Sequence, residues 1–159
     1  MKKIIVTHIF PDLDAIASAW LLVRFDPDFE QTEFEFVPAG ETLAGKAVDS
    51  DPTVVHVDTG LGGFDHHQLE NKTCAAALVF NYLKGQKFIT VKHQGALERL
   101  IKVITVIDNF GDFFWNEPAA DRYDLQLSEI INNLKISGRL NDKQLMYQGM
   151  ILLDAVLTG

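Results

Sequence analysis

Residues 3–15 read K-I-I-V-T-H-I-F-P-D-L-D-A, a strand pattern that breaks into a polar loop and then into a helix. Lys3–Thr7 is a continuous β-branched run, as expected for a strand buried on both faces of a parallel sheet. His8, Asp12 and Asp14 follow within seven residues. From Ala15 to Phe25 the pattern is helical. Ile16, Trp20 and Val23 face inward, the small Ala17, Ser18 and Ala19 allow close packing, and Pro27 ends the helix. Two aspartates at the end of a buried strand are costly unless solvent, a lysine or a metal neutralises them.

Working outward, Glu33–Val37 alternates as E-F-E-F-V and is closed by Pro38-Ala39-Gly40, a second strand. A polar connection follows, with a helical turn expected around 41–48. Thr53–Val57 is a further apolar run that ends at Asp58-Thr59-Gly60, and a short strand is expected at Gly63–His66. Beyond it the chain turns helical. Thr73 is placed to cap a helix over Cys74–Leu83. Residues 96–108 put Leu97, Leu100, Ile101, Ile104 and Asp108 on one face at i, i+3, i+4 spacing. Two amphipathic helices, about 125–136 and 142–157, read as packing elements. The expected fold is α/β: a mainly parallel sheet flanked by helices on both faces, with a helical C-terminal part, in one domain spanning 1–159. In such sheets the ligand site lies beyond the carboxyl ends of the strands.

Composition narrows the function classes. With 47% hydrophobic and 23% charged residues the chain has the balance of a globular domain. It has no apolar run long enough to span a membrane. The start M-K-K-I-I-V-T-H turns polar too early for a secretory signal. Cys74, the single cysteine, can form no internal disulfide, which fits a cytoplasmic protein. The net charge of −8 argues against a broad phosphate-binding surface of the kind long nucleic acid needs. A homodimer is compatible with the sequence. Acidic clusters at 26–30, 49–51 and 121–124 read as solvated turns; Asp12, Asp14 and Asp108 differ because apolar elements lead straight into them.

Three strand ends therefore carry metal-type side chains: His8, then Asp58, then Asp65-His66-His67, with Asp108 closing the apolar stripe of a helix. Four carboxylates converging on one rim repel one another, and some stay protonated unless cations compensate. Imidazoles mixed with carboxylates suit Mn²⁺, Fe²⁺, Co²⁺ or Zn²⁺ better than Ca²⁺ or a sulfur site. So many ligands exceed the needs of one four-coordinate ion. Two ions sharing a carboxylate would use them, and paired ions suit displacement at phosphorus.

Together H-I-F-P-D-L-D-A, V-H-V-D-T-G, F-D-H-H-Q and V-I-D-N resemble the four ordered motifs of the DHH phosphoesterase superfamily. That superfamily includes RecJ-type exonucleases, oligoribonucleases, cyclic-dinucleotide phosphodiesterases and family II inorganic pyrophosphatases. The resemblance covers roughly residues 3–112. It implies a metal-dependent hydrolase of phosphoester or phosphodiester bonds, more nucleotide-derived than simple pyrophosphate, using metal-activated water. The cofactor implied is a pair of divalent ions, Mn²⁺ first, with Mg²⁺, Co²⁺ or Zn²⁺ as alternatives. By the same resemblance His8, Asp12 and Asp58 hold one ion; Asp14, Asp58, His66 and Asp108 hold the other, with Asp58 bridging. Asp58 and His67 are then the catalytic pair, His67 facing the scissile phosphate, and Asp65 orients a neighbouring ligand. Members normally carry a second, carboxy-terminal domain that grips the substrate; this chain stops at Gly159, and the expectation is truncation. F-D-H-H-Q and V-I-D-N-F-G are also similar to the MYG1-like family of metal-dependent hydrolases with nuclease character. H-I-F-P-D-L-D-A fits the DHH pattern better. A non-catalytic metal- or nucleotide-binding module is the rival of another class.

Several residues are set aside. His56 reads as packed and His93 as an exposed loop residue. Asn109 and Asp112 are candidates to line the cleft. Phe113, Phe114 and Trp115 read as anchors of their loop. Cys74 is not a nucleophile candidate.

Overall fold

The structure is a computed structural model that describes residues 2–159. Its sheet has three parallel strands, β1 (Lys3–His8), β2 (Thr32–Val37) and β3 (Val54–His56), in the order β2-β1-β3. The β-branched run thus becomes the central strand, pairing Ile5 with Phe34 on one side and with Val55 on the other. The chain leaves β1, returns as β2 on one flank, then crosses to β3 on the opposite flank. The carboxyl ends of β1 and β3 consequently lie side by side where the winding reverses, the usual position of a ligand crevice.

Five α-helices follow the strands or link them: α1 (Leu13–Phe25), α2 (Ala75–Gly85), α3 (Val91–Asp108), α4 (Leu127–Ile136) and α5 (Asp142–Thr158). α1 is the hub. Every residue from Leu13 to Leu22 is buried, as expected for a helix apolar on all sides and surrounded by others. One hydrophobic cluster joins Ile5 and Phe34 of the sheet to Trp20, Leu83, Leu97, Ile104, Ile131 and Leu153 of the helices. Close approach is built in: a Cβ on Gly149 of α5 would lie 2.7 Å from Ile16 of α1. Among the described residues no helix is long and apolar enough to cross a membrane.

Several expectations change. The helices do not cover both faces of the sheet. Ile5, Phe34 and Val57 belong to the helical core, with Phe36 and Val55 packed against it. On the other face of β2, Glu33 and Glu35 are exposed, which is what the E-F-E-F alternation of a half-buried strand requires. No α-helix lies between β2 and β3. The loop 38–53, with one short 3-10 turn at Leu43–Gly45, covers β3 there, and buried His56 accepts a hydrogen bond from the Leu43 amide at 3.1 Å. The expected strand at 63–66 reduces to a single bridge between Val57 and Phe64. Its extension is cut off because the 58–61 turn, left-handed at Asp58, Gly60 and Leu61, is too tight to open into a ladder.

The 26–30 cluster is not wholly a solvated turn. Asp26 is buried, accepts from the Asp28 amide, and receives the Tyr82 hydroxyl at 2.9 Å. Phe113 and Phe114 are exposed and anchor nothing, whereas Trp115 stacks near Tyr123. His93 lies in the first turn of α3 against Phe25, not in a loop.

Candidate metal centre

The β1–α1 loop delivers three groups. His8 is the last residue of β1, and its Nδ1 lies 2.9 Å from the Ile9 carbonyl. A ring N–H held by a backbone carbonyl leaves Nε2 with the free lone pair, a common arrangement for a metal-ligating histidine. Asp12 is the N-cap of α1, with Oδ1 accepting from the Ala15 amide. Its other oxygen lies 3.9 Å from His8 Nε2. Asp14, in the first turn of α1, reaches a different element: its two oxygens accept from the Ala75 and Ala76 amides at 2.7 and 2.8 Å. The cap of α2 is therefore Asp14, 61 residues upstream, and not Thr73; Cys74 occupies the N-cap position without a side-chain bond.

Asp58 follows β3 by two residues in a left-handed conformation (φ 54°), which aspartate tolerates better than most residues. Its buried carboxylate divides. Oδ2 lies 3.2 Å from His8 Nε2, while Oδ1 lies 3.4 Å from His66 Nε2. His66 Nε2 also lies 3.4 Å from Asp108 Oδ2 and 3.8 Å from Asp14 Oδ2. Asp108 is the last residue of α3, where the helix dipole disfavours a carboxylate and a positive partner is wanted. His67 turns the other way: its Nδ1 lies 2.7 Å from buried Asp65, and its side chain is 59% exposed. Asp65 also accepts from the Leu61 and His67 amides, so it fixes the loop and the ring together.

Ligand-type atoms thus gather into three overlapping sets, His8/Asp12/Asp58, Asp14/His66/Asp108 and Asp58/His66/His67, each within 4.8 Å internally. Two buried atoms in this centre, His66 Nε2 and Asp58 Oδ1, have no hydrogen-bond partner. Buried polar atoms are normally satisfied. An imidazole nitrogen that faces three carboxylates without bonding any of them is arranged around a shared centre rather than around one partner. The donor set of oxygen and imidazole nitrogen, without sulfur, fits divalent Mn-type cations. The site residues expected from sequence are therefore all brought together, Asp65 among them. His56 stays apart, bound to the loop over β3, and Asp112 lies away from the cleft. Asn109 lines it, its amide donating to the Thr73 and Thr105 carbonyls.

In the absence of cations, protons take their place. Burial opposes charge on His8, but the Asp58 hydrogen bond and nearby Asp12 outweigh it and raise the ring to about 9. The Asp58 carboxylate 3.4 Å away likewise lifts His66 to about 9, against burial. Burial and the neighbouring Asp58 and Asp108 push Asp14 well above the carboxylate range. Burial, aided by Asp58 and Asp12 against His66, raises Asp108 to about 6. Burial would raise Asp58 too, yet the nearby imidazoles of His66 and His8 hold it below its ordinary value.

These directions fix a stability profile. The contributions of His8 and His66 are fully present below pH 6.5 and are lost as pH rises through about 9. Asp108 acts in the same sense, its contribution lost as pH climbs through about 6. Asp58 acts oppositely, its contribution lost only as pH falls below the carboxylate range. In chelator the melting temperature will therefore fall between pH 6.5 and 9. If the centre binds divalent cations, excess Mn²⁺ will make the fall disappear or reverse, because cations would replace the protons. Parallel thermal melts check this; a chelated profile flat across that window would contradict it.

A cleft of about 580 Å³ opens beside the centre, bordered by Asp12, Asp14, His66, His67 and Asp108 and by residues of α3 and α4. Sequence reasoning assigned α4 to packing alone, yet Ser128, Asn132 and Lys135 line this cleft. Cys74 is buried beside Thr105, and burial raises its thiol further from ionisation. No protein-family model, curated protein or solved structure matches the chain.

Proposed function

We propose that the chain is a dinuclear metal-dependent phosphoesterase of DHH type, acting on a small nucleotide-derived phosphoester. The observation that carries this reading is the divided carboxylate of Asp58, one oxygen turned to His8 and the other to His66. His8, Asp12 and Asp58 would hold one cation, and Asp14, Asp58, His66 and Asp108 the other. When bound, the pair supplies a water activated near neutral pH and neutralises phosphoryl charge. The chain's own residues do the rest. His8 is oriented by the Ile9 carbonyl, and Asp12 and Asp14 by the first turns of α1 and α2. Asp65 accepts from His67 Nδ1–H and so orients the ring, whose imidazolium form would donate Nε2–H to the phosphate from the exposed side. Leu13, Ile104 and Ile107 make one wall of the cleft apolar, which limits bulk water around the reacting group.

No side chain serves as nucleophile in this scheme. Buried Cys74 is poorly suited to the task. A nuclease on long strands is the weaker reading, since the net charge is −8 and Lys135 is the one lysine or arginine lining the cleft among the described residues. Cytoplasmic placement is part of the proposal, resting on the single cysteine. The test is anomalous scattering from crystals grown with Mn²⁺. Two peaks flanking the Asp58 carboxylate are expected; one peak, or none beside Asp58, overturns the dinuclear assignment.

A further inference from the structure

α4 carries two stripes. Ile131 belongs to the core, with Leu127 and Leu134 packed against it. Ser128, Asn132 and Lys135 repeat at i, i+4 and i+7, the spacing of one helical face, and all three line the cleft beside the metal centre. A short amphipathic helix normally turns its polar stripe to bulk water. Here that stripe forms a cleft wall.

Lys135 is half-buried there. The lysine and arginine ion pairs among the described residues involve Lys2, Arg24, Lys84 and Arg122, so Lys135 has no carboxylate partner. That is unexpected in a chain of net charge −8 whose cleft is bordered by Asp12, Asp14 and Asp108. Asn132, one turn before it, makes no side-chain hydrogen bond among the described residues and adds a neutral N–H donor. An unpaired ammonium with a neighbouring amide donor, lining the same cleft as a carboxylate cluster without pairing to it, is suited to hold an anion.

We propose that Asn132 and Lys135 bind a second anionic group of the substrate, remote from the phosphate that reacts. The substrate class is then a phosphoester bearing a further phosphate-type group, as in a bisphosphate or a short oligonucleotide, rather than the monoester of a neutral alcohol. This rests on the phosphoesterase reading above. It adds that the chain contributes its own cationic grip. Binding energy from a non-reacting group of this kind orients the reacting phosphate, so its loss affects positioning as well as affinity.

The test uses the full chain and two probes with unreactive P–C bonds, propylphosphonate and propylene diphosphonate, which differ by one anionic group. The number of bound Mn²⁺ ions is counted first by equilibrium dialysis. Fewer than one ion is a failure of the metal reading and is seen before any probe is added. Calorimetric titrations of both probes then follow, with and without Mn²⁺. The diphosphonate is expected to bind about tenfold more tightly, the scale of one charge-assisted contact. Lys135→Ala should abolish that preference while leaving the Mn²⁺ count and propylphosphonate affinity as they were. Lys135→Arg should retain most of the preference. Equal affinities in the parent chain, no binding of either probe, or a preference that survives Lys135→Ala overturns the assignment.

Discussion

Asp58→Ala will remove both cations from the centre and lower hydrolysis of bis-p-nitrophenyl phosphate by roughly 10³-fold or more, the scale of several kcal/mol of lost metal catalysis. The expectation follows from where its two oxygens point, 3.2 Å from His8 and 3.4 Å from His66. Removing Asp12 takes a ligand from one set only, and removing Asp108 takes one from the other. Asp58 alone is common to both proposed ion sites. The fold should survive, because the Asp58 side chain caps no helix and, among the described residues, hydrogen-bonds only to His8. Its backbone is left-handed, which alanine tolerates at a cost of about 1–2 kcal/mol. Asp58→Asn is therefore the matched control, since asparagine accepts that conformation while removing the charge. Both variants should lose Mn²⁺ stoichiometry in equilibrium dialysis with only a modest change in the chelated melting temperature. Two ions retained in either variant would end the bridging assignment.

The elements legible in sequence are those whose signal is local. The β-branched run of β1, the alternation of β2 and the stop at Pro27 each reflect side chains that act within a few residues. The candidate site was legible for a related reason. His8, Asp12, Asp58 and Asp108 sit at or just beyond the ends of elements, and the winding of a parallel sheet brings such ends together, while His66 reaches them from the loop between β3 and α2. What was not legible depends on distant partners. Thr73 has the chemistry of a cap, but the α2 amides are taken by Asp14 from another helix. Asp26 looks like a turn residue until Tyr82 arrives from α2. α3 starts at Val91, earlier than its apolar stripe, because Gly95 and the polar residues around it weaken the periodicity of the first turns. For α4, periodicity identifies which residues are polar but not what they face. Lys135 was therefore passed over although its residue type suits phosphate. That it lacks a carboxylate partner and lines the cleft is decided by the fold and leaves no mark in the sequence.

Asp14→Ala will have the largest effect on stability, and for a reason separate from metal. The carboxylate is the acceptor for two amides at the first turn of α2, and both of those residues are fully buried. Water cannot readily replace it there. Each buried amide left unpaired costs about 1–3 kcal/mol. Part of that loss is offset, because Asp14 is itself crowded by Asp58 and Asp108 and resists ionising. The expected net loss is about 2–4 kcal/mol, which for a domain of this size is of the order of 5–15 °C in melting temperature. Asp14→Asn keeps one acceptor oxygen and should fall between the parent and Asp14→Ala. Asp12→Ala removes one exposed-end cap bond and should cost about 1 kcal/mol. Urea unfolding in chelator isolates these differences from metal binding. If Asp14→Ala unfolds at the parent midpoint there, the α2 amides have found other acceptors and Asp14 serves the centre alone. If it unfolds early, the Asp14 carboxylate orders the start of α2, and any cation that the proposed centre binds through Asp14 would be coupled to the docking of α2 on α1.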